Sequence, residues 1–252
     1  MFERVPASSY VETLRPESSA MYENQTRTVA KLRERVENLL AEQRRSRPSC
    51  RVLIALAGVP GSGKSTIAAT LLDDLKRHGV DDVAILPMDG FHYPRAVLSS
   101  FDDPDLALKR RGAPFTFDAQ GFLKLIRRLK TVPVTTCDEP QIVISAPSFD
   151  HAVKDPLPDA IAISSRTKVV IIEGNYTLLD EDPWNSIADL VDDRWFVDVP
   201  TDVARQRLAS RHLRAGIETT MERALLRVDE NDVPNGDHIR SNLIEPTVRI
   251  LN

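Results

Sequence analysis

The spacing of apolar and polar positions divides this chain into helices and strands before any motif is considered. From Ser18 to about Gln43, Val29, Leu32, Val36, Leu39 and Leu40 form one apolar stripe, which predicts an amphipathic helix with a solvated charged face. Residues 1–16 are polar and expected to be irregular, and Arg44-Arg45-Ser46-Arg47-Pro48 reads as a linker or, alternatively, a basic contact patch. The unbroken aliphatic run Leu53-Ile54-Ala55-Leu56-Ala57 then suits a strand buried on both faces. Apolar residues at 67, 68, 71, 72 and 75 return to helical spacing, and His78-Gly79 stops that helix. Further buried strands are expected at 83–86, at about 139–144, at 169–172 and at 194–199, the last read as the final strand. Short helical pieces fill 94–117. Asp118 caps a helix whose core face is Phe122, Leu125, Ile126 and Leu129. Residues between 145 and 168 read as a loop followed by a polar excursion. Helices over about 201–214, 218–230 and 236–245 finish the chain. Strands alternating with helices predict an α/β fold with a mostly parallel sheet covered on both faces.

Composition narrows the picture by exclusion. With 252 residues the chain can be one large domain, and it shows no internal repeat or low-complexity segment. A net charge of −4 gives no general field for nucleic acid or an anionic membrane. The two cysteines, Cys50 and Cys137, indicate neither a disulfide framework nor a zinc site. No run approaches a membrane span, and the early Glu3, Glu12 and Glu17 argue against a targeting peptide, so a cytoplasmic setting is expected.

Candidate chemistry concentrates at strand ends. Gly58-Val59-Pro60-Gly61-Ser62-Gly63-Lys64-Ser65, with Thr66 after it, reads G-x-x-x-x-G-K-S between a strand and a helix, the phosphate-binding P-loop. Its glycines let backbone N–H groups close round an anion, Lys64 adds charge at the β/γ-phosphates, and Ser65 can ligate Mg²⁺. Nucleoside triphosphate binding is therefore expected. Glu173 ends an aliphatic strand, where a carboxylate can share that Mg²⁺. Asp89 ends the second strand; position alone leaves it open between a proton-accepting base and ordinary Asp-Gly turn chemistry. Arg207, Arg211 and Arg214 share one helix face, off which Arg205 lies. Such a stripe is a solvated face in most proteins, but beside a triphosphate it suits a lid over the transferred phosphoryl group. The histidines lack metal-site spacing. No guanine-reading Asn-Lys-x-Asp, transporter signature or His-Arg-Asp kinase loop is present.

Together, Gly58–Ser65, Asp89-Gly90-Phe91-His92-Tyr93-Pro94, Arg111-Gly112-x-Pro114, Pro147-Ser148-Phe149-Asp150-His151 and Glu173-Gly174-Asn175-Tyr176 resemble the phosphoribulokinase/uridine kinase/pantothenate kinase family. The resemblance spans about residues 50–245 in the family's motif order. It implies a P-loop NTPase kinase fold with a five-stranded parallel sheet and a helical lid, and phosphorylation of a small metabolite's hydroxyl by ATP and Mg²⁺. On that reading residues 48–252 are the kinase domain and 1–47 an N-terminal extension. Asp89 becomes the general base, Glu173 with Ser65 the metal site, and Lys64, Arg207 and Arg211 the groups on the phosphates. His92, Tyr93, Arg111, Asp150 and His151 would line the acceptor pocket, and Asn231 and Asn235 would lie beside the adenine. Where uridine kinases have Asp-Ser-Phe-Tyr this chain has Asp89-Gly90-Phe91-His92, closer to pantothenate kinases and bacterial sugar-kinase-like relatives. Pantothenate kinases, however, carry a longer acceptor region. Nucleoside-like acceptors rank first, then sugars, then pantothenate-like acids. The expected partner is that small molecule, without nucleic acid or membrane, and a homodimer is admitted. The rival reading is a nucleotide-binding regulator or slow NTPase.

Overall fold

The computed structural model describes residues 16–150 and 152–252. Along the chain, helix α1 (Pro16–Ser46) precedes strand β1 (Val52–Gly58), helix α2 (Lys64–Arg77) and strand β2 (Val83–Pro87). A 3₁₀ turn at Met88–Phe91 leads to α3 (Arg95–Leu98), α4 (Pro104–Lys109) and α5 (Ala119–Thr131). Strands β3 (Val143–Asp150), β4 (Asp155–Ser164), β5 (Val169–Glu173) and β6 (Asp193–Asp198) follow. The chain continues through α6 (Thr201–Arg214), α7 (Met221–Arg227), α8 (Val233–Ser241) and β7 (Val248–Leu251). The main sheet has the order β2-β5-β1-β6-β7, and each of its pairs is parallel.

β1 is buried at every position because the sheet is covered on both sides. Its alternate residues divide between two cores. Leu53, Ala55 and Ala57 join Phe122, Ile126 and Leu129 of α5, while Val52, Ile54 and Leu56 join α2 and the α1 stripe Val29, Leu32, Val36 and Leu40. The helix expected within residues 1–47 is thus one layer of the same core as the sheet.

A buried carboxylate fixes that layer. Asp193 accepts hydrogen bonds from Arg35 of α1, from the Thr247 hydroxyl and from the Trp195 indole at 2.7 Å. Burial pushes its pKa upward, but those donors and the Arg35 charge outweigh burial and hold the carboxyl below its usual range.

Two expectations about strands are corrected. The strand expected at 139–144 is not in the main sheet: β3 begins at Val143 and pairs antiparallel with β4 in a separate two-stranded ribbon. β4 lies in the stretch expected to be a polar excursion, because Asp155-Pro156-Leu157-Pro158-Asp159 carries prolines and charges and is largely exposed. A two-stranded ribbon tolerates prolines because each strand is an edge. Nor is the strand at 193–198 the last one. β7 adds to it with Trp195 opposite Val248, making the fifth strand from four residues of which only Ile250 is buried. Helices α7 and α8 start and stop differently from the expected 218–230 and 236–245, since a π-helical turn at Val228–Asp232 joins them almost continuously.

Candidate active site

The P-loop follows directly from the end of β1. Gly61 and Gly63 have φ of 75° and 87°, a conformation that turns successive N–H groups inward and that side-chain-bearing residues rarely adopt. Gly63 is also the N-cap of α2, so the positive end of that helix meets the loop. Because β1 and β5 are paired with Leu56 opposite Glu173, the two strands end together. The Ser65 hydroxyl donates to Glu173 Oε1 at 3.1 Å, and Lys64 Nζ lies 3.9 Å from the same oxygen. Burial raises the Glu173 pKa, the Lys64 charge opposes that, the Asp89 charge adds to it and the Ser65 hydrogen bond opposes it again.

Asp89 sits just past β2, in the 3₁₀ turn, and is exposed. Among the described residues its carboxylate has no hydrogen bond, yet its charge acts on both Glu173 and Tyr176. The next residue must be small: a Cβ on Gly90 would lie 2.2 Å from the carbonyl oxygen of Pro147 in β3. The ribbon therefore rests on the Asp-Gly corner. Two neighbouring carboxylates are engaged locally. Asp118 caps α5 by accepting the Gly121 N–H, and Asp150 accepts the N–H groups of Ala152 and Val153 in the ribbon turn.

The predicted acceptor residues cluster along this ribbon. The His92 ring packs on Phe117 and Phe149 with centroids 4.0 and 4.9 Å away, and its Nδ1–H donates to the Asp89 carbonyl. Tyr93 meets Phe101 edge-on; burial, then the Asp118 charge, raise its phenol pKa. Arg111 is committed to the ribbon, donating to the carbonyls of Lys154 and Tyr93 and to Asp155 at 2.6 Å, with Phe149 under its guanidinium. His151 lies outside the described residues.

α6 closes the other side. A Cβ on Gly61 would lie 2.9 Å from the Ala204 carbonyl and from Leu208, so the helix rests against the P-loop. Its arginines divide into two kinds. Arg205 makes a two-pronged ion pair with Asp229 at 2.5 and 2.6 Å. Arg207 and Arg211 have no ion-pair or hydrogen-bond partner among the described residues, and Arg207 Nη1 lies 3.9 Å from the position of a Gly63 Cβ.

The asparagines expected beside the adenine make contacts with the 110–112 segment. Asn231, in the π turn, donates to the Arg111 carbonyl at 3.3 Å, and Asn235, in α8, accepts from Arg110 at 3.0 Å. Both amides thus face the 110–112 corner, while the neighbouring Gly236 meets Val59 of the P-loop. Three residues at the site were not singled out from sequence. The buried Tyr176 hydroxyl donates to the Gly112 carbonyl at 2.6 Å; burial drives its pKa far up, so it stays a donor. Arg110 stands beside it. Asn252 donates its amide to the Ser62 carbonyl at 2.7 Å, which ties β7 to the P-loop. The run Lys109-Arg110-Arg111 and the aromatic after Glu173 were visible as residues, but nothing local signalled Asn252.

A π-helical turn at the meeting point of lid and cleft, strand ends of β1, β5 and β2 in adjacent positions, and a P-loop under α6 together form a site for a phosphorylated ligand. Comparison with known proteins agrees with that geometry. A protein of Schizosaccharomyces pombe named "Putative uridine kinase C227.14" is 44% identical over 199 residues, covering 79% of this chain and 82% of its own. Among solved structures, one named as a "putative fructose transport system kinase" from Silicibacter sp. TM1040 has a TM-score of 0.74 at 32% identity, over 88% of this chain and 98% of that one. YFH7 of Saccharomyces cerevisiae has a TM-score of 0.75 at 28% identity, over 89% of this chain and 99% of its own. The model of the phosphoribulokinase/uridine kinase family matches residues 53–216, from the start of β1 to just beyond α6, and the chain belongs to that family.

Proposed function

We propose that the protein transfers the γ-phosphoryl group of ATP to a hydroxyl of a small metabolite. The observation that carries this reading is the convergence of Ser65, Lys64 and Glu173 at the end of β1 and β5, with Asp89 one strand away. The P-loop N–H groups and Lys64 hold the triphosphate. Ser65 and Glu173 offer two hard oxygen donors side by side, a set that would hold Mg²⁺, whose charge would offset that of the phosphates. Asp89, exposed and uncommitted, takes the proton of the acceptor hydroxyl as its oxygen bonds to the γ-phosphorus and the β–γ bridging bond breaks, leaving ADP. Arg207 stands where charge develops on the transferred group, and Arg211, one turn further along α6, joins it as the lid closes. His92 and Tyr93 form the acceptor wall with the ribbon. Nucleoside-like hydroxyls rank before sugars, as the name of the S. pombe relative suggests. The small molecule is the one partner this chemistry needs, and a reducing, cytoplasmic setting suits the two free cysteines.

Product analysis tests the reading. With ATP, Mg²⁺ and an acceptor panel, ADP should appear together with a phosphorylated metabolite; ADP with inorganic phosphate alone would make the protein a slow NTPase. Asp89→Asn, assayed in single turnover with the acceptor so found, should lower transfer by roughly 10²-fold while nucleotide affinity stays near wild type. Unchanged transfer in that variant would return Asp89 to turn chemistry.

A further inference from the structure

Lys109, Arg110 and Arg111 are three consecutive cations with different fates. Lys109 lies 3.4 Å from Glu230, and Arg111 lies 2.6 Å from Asp155. Arg110, half-buried between them, has no carboxylate within ion-pair distance among the described residues. Its Nη2 donates to the neutral Asn235 amide at 3.0 Å, and its Nε is buried without a partner among the described residues. A guanidinium partly withdrawn from water and left without a counter-ion is costly unless an anion completes it. Arg110 also stands in the cleft. Asn235 belongs to the helix whose Gly236 touches the P-loop residue Val59, and the Arg110 charge acts on the Tyr176 hydroxyl. Its chain neighbours are held on the ribbon side of the cleft, Arg111 by Tyr93 and Asp155 and Gly112 by the Tyr176 hydroxyl, which sets Arg110 on that side too. The buried Asn231 Oδ1, also without a partner among the described residues, adds a polar atom to the same corner, where its amide donates to the Arg111 carbonyl.

We infer that Arg110 binds an anionic group on the acceptor, so that the substrate is a hydroxyl compound carrying a phosphate or a carboxylate. The inference rests on the kinase reading above and moves neutral nucleosides and sugars below their charged counterparts. Arg111, the arginine that the motif points to, builds the wall; Arg110 reads the ligand. Guanidinium geometry favours this role, since its remaining donors can engage a phosphate or carboxylate in parallel.

The test is equilibrium binding by calorimetry with a non-hydrolysable ATP analogue and Mg²⁺ present, comparing ribose phosphate with ribose, glycerate with glycerol, and uridine monophosphate with uridine. In at least one pair the charged member should bind about 10-fold or more tightly than its neutral counterpart, and the pair that responds separates phosphate from carboxylate. Arg110→Met should erase that difference and Arg110→Lys should keep part of it. Asn235→Asp leaves Arg110 in place but supplies a carboxylate beside it; this variant should fold and should lose the preference for the charged member. Equal binding within all three pairs overturns the inference. So does an Arg110→Met variant whose loss falls on the ATP analogue instead, since that would place the guanidinium on the nucleotide. If the charged member binds but is never phosphorylated on addition of ATP, the kinase reading fails while the anion site stands.

Discussion

The two sides of the cleft are built by different means. The triphosphate side is one continuous stretch, Gly58 to Thr66, whose shape comes from backbone conformation and whose donors are mostly peptide N–H groups. The side we propose for the acceptor draws on separated segments around 89–93, 110–112, 147–150, 173–176 and 231–235, joined by side chains such as Arg111, Asn231 and Tyr176. On the first side the loop's shape rests on glycines at positive φ, Gly61 and Gly63, and on Lys64 and Ser65. On the second, the framework residues and the ligand-reading residues are different, so the acceptor can change while the scaffold stays. That division fits a family whose relatives bear different acceptor names.

The largest effect should come from the triphosphate side. Lys64→Ala should cut turnover by about 10³-fold or more and weaken ATP binding, because the β/γ-phosphates lose a cation aimed at them. Nucleotide titration beside steady-state rates measures both; wild-type values would remove the P-loop from the mechanism. Next, Arg207→Ala should lower kcat by roughly 10²–10³-fold with a smaller change in the KM for ATP, since an arginine of this kind acts as the transition state forms. Arg205→Ala is its control: that side chain is already paired with Asp229 at the surface, and kcat should stay near wild type. Equal losses in both variants would mean that α6 matters for packing and not for charge.

A smaller effect should come from Gly90→Ala, on the acceptor side. The new methyl meets the Pro147 carbonyl, so the ribbon must shift, at a cost of about 1–3 kcal/mol. Denaturant melts should show that loss, and transfer should fall more than ATP affinity because Asp89 moves with its neighbour. The smallest is Asp193→Asn, remote from both sides. Its carboxyl pKa is depressed in the folded state, so its contribution to stability is present above the unfolded value, about 3.9, and disappears as pH falls through the lower folded value. The variant should be less stable near neutral pH by about 1–2 kcal/mol, allowing for the half-exposed Arg35, and should lose less stability than wild type on acidification below pH ~4. Thermal melts across that range check the sign, and the KM values should not move.

Much of the fold was legible because it is local. The runs at 53–57, 83–86 and 169–172 lie in strands, as does that at 194–199 apart from Val199, and the stripe on α1 is the face that meets the sheet. β4 and β7 were not legible. β4 breaks strand composition with Pro156 and Pro158, which only the exposed two-stranded ribbon permits, and β7 offers a single core residue. At the site, Lys64, Ser65 and Glu173 were expected together and are found together, since a strand end and the helix beside it fix their distance. Arg111 was expected on the acceptor from its Arg-Gly-x-Pro motif; the structure commits its guanidinium to Tyr93, Lys154 and Asp155, engagements that the motif does not announce.

The sequence by itself determined the phosphate-binding loop, the parallel sheet and the family, because those are legible from local motif spacing, hydrophobic period and the order of motifs along the chain. Only the tertiary structure decided which cations are paired, where Asn231 and Asn235 point, and that Asn252 reaches the P-loop. Those outcomes depend on residues brought together from distant parts of the chain. A charged side chain reads the same in sequence whether its partner is a carboxylate across the cleft, a neutral amide or a ligand.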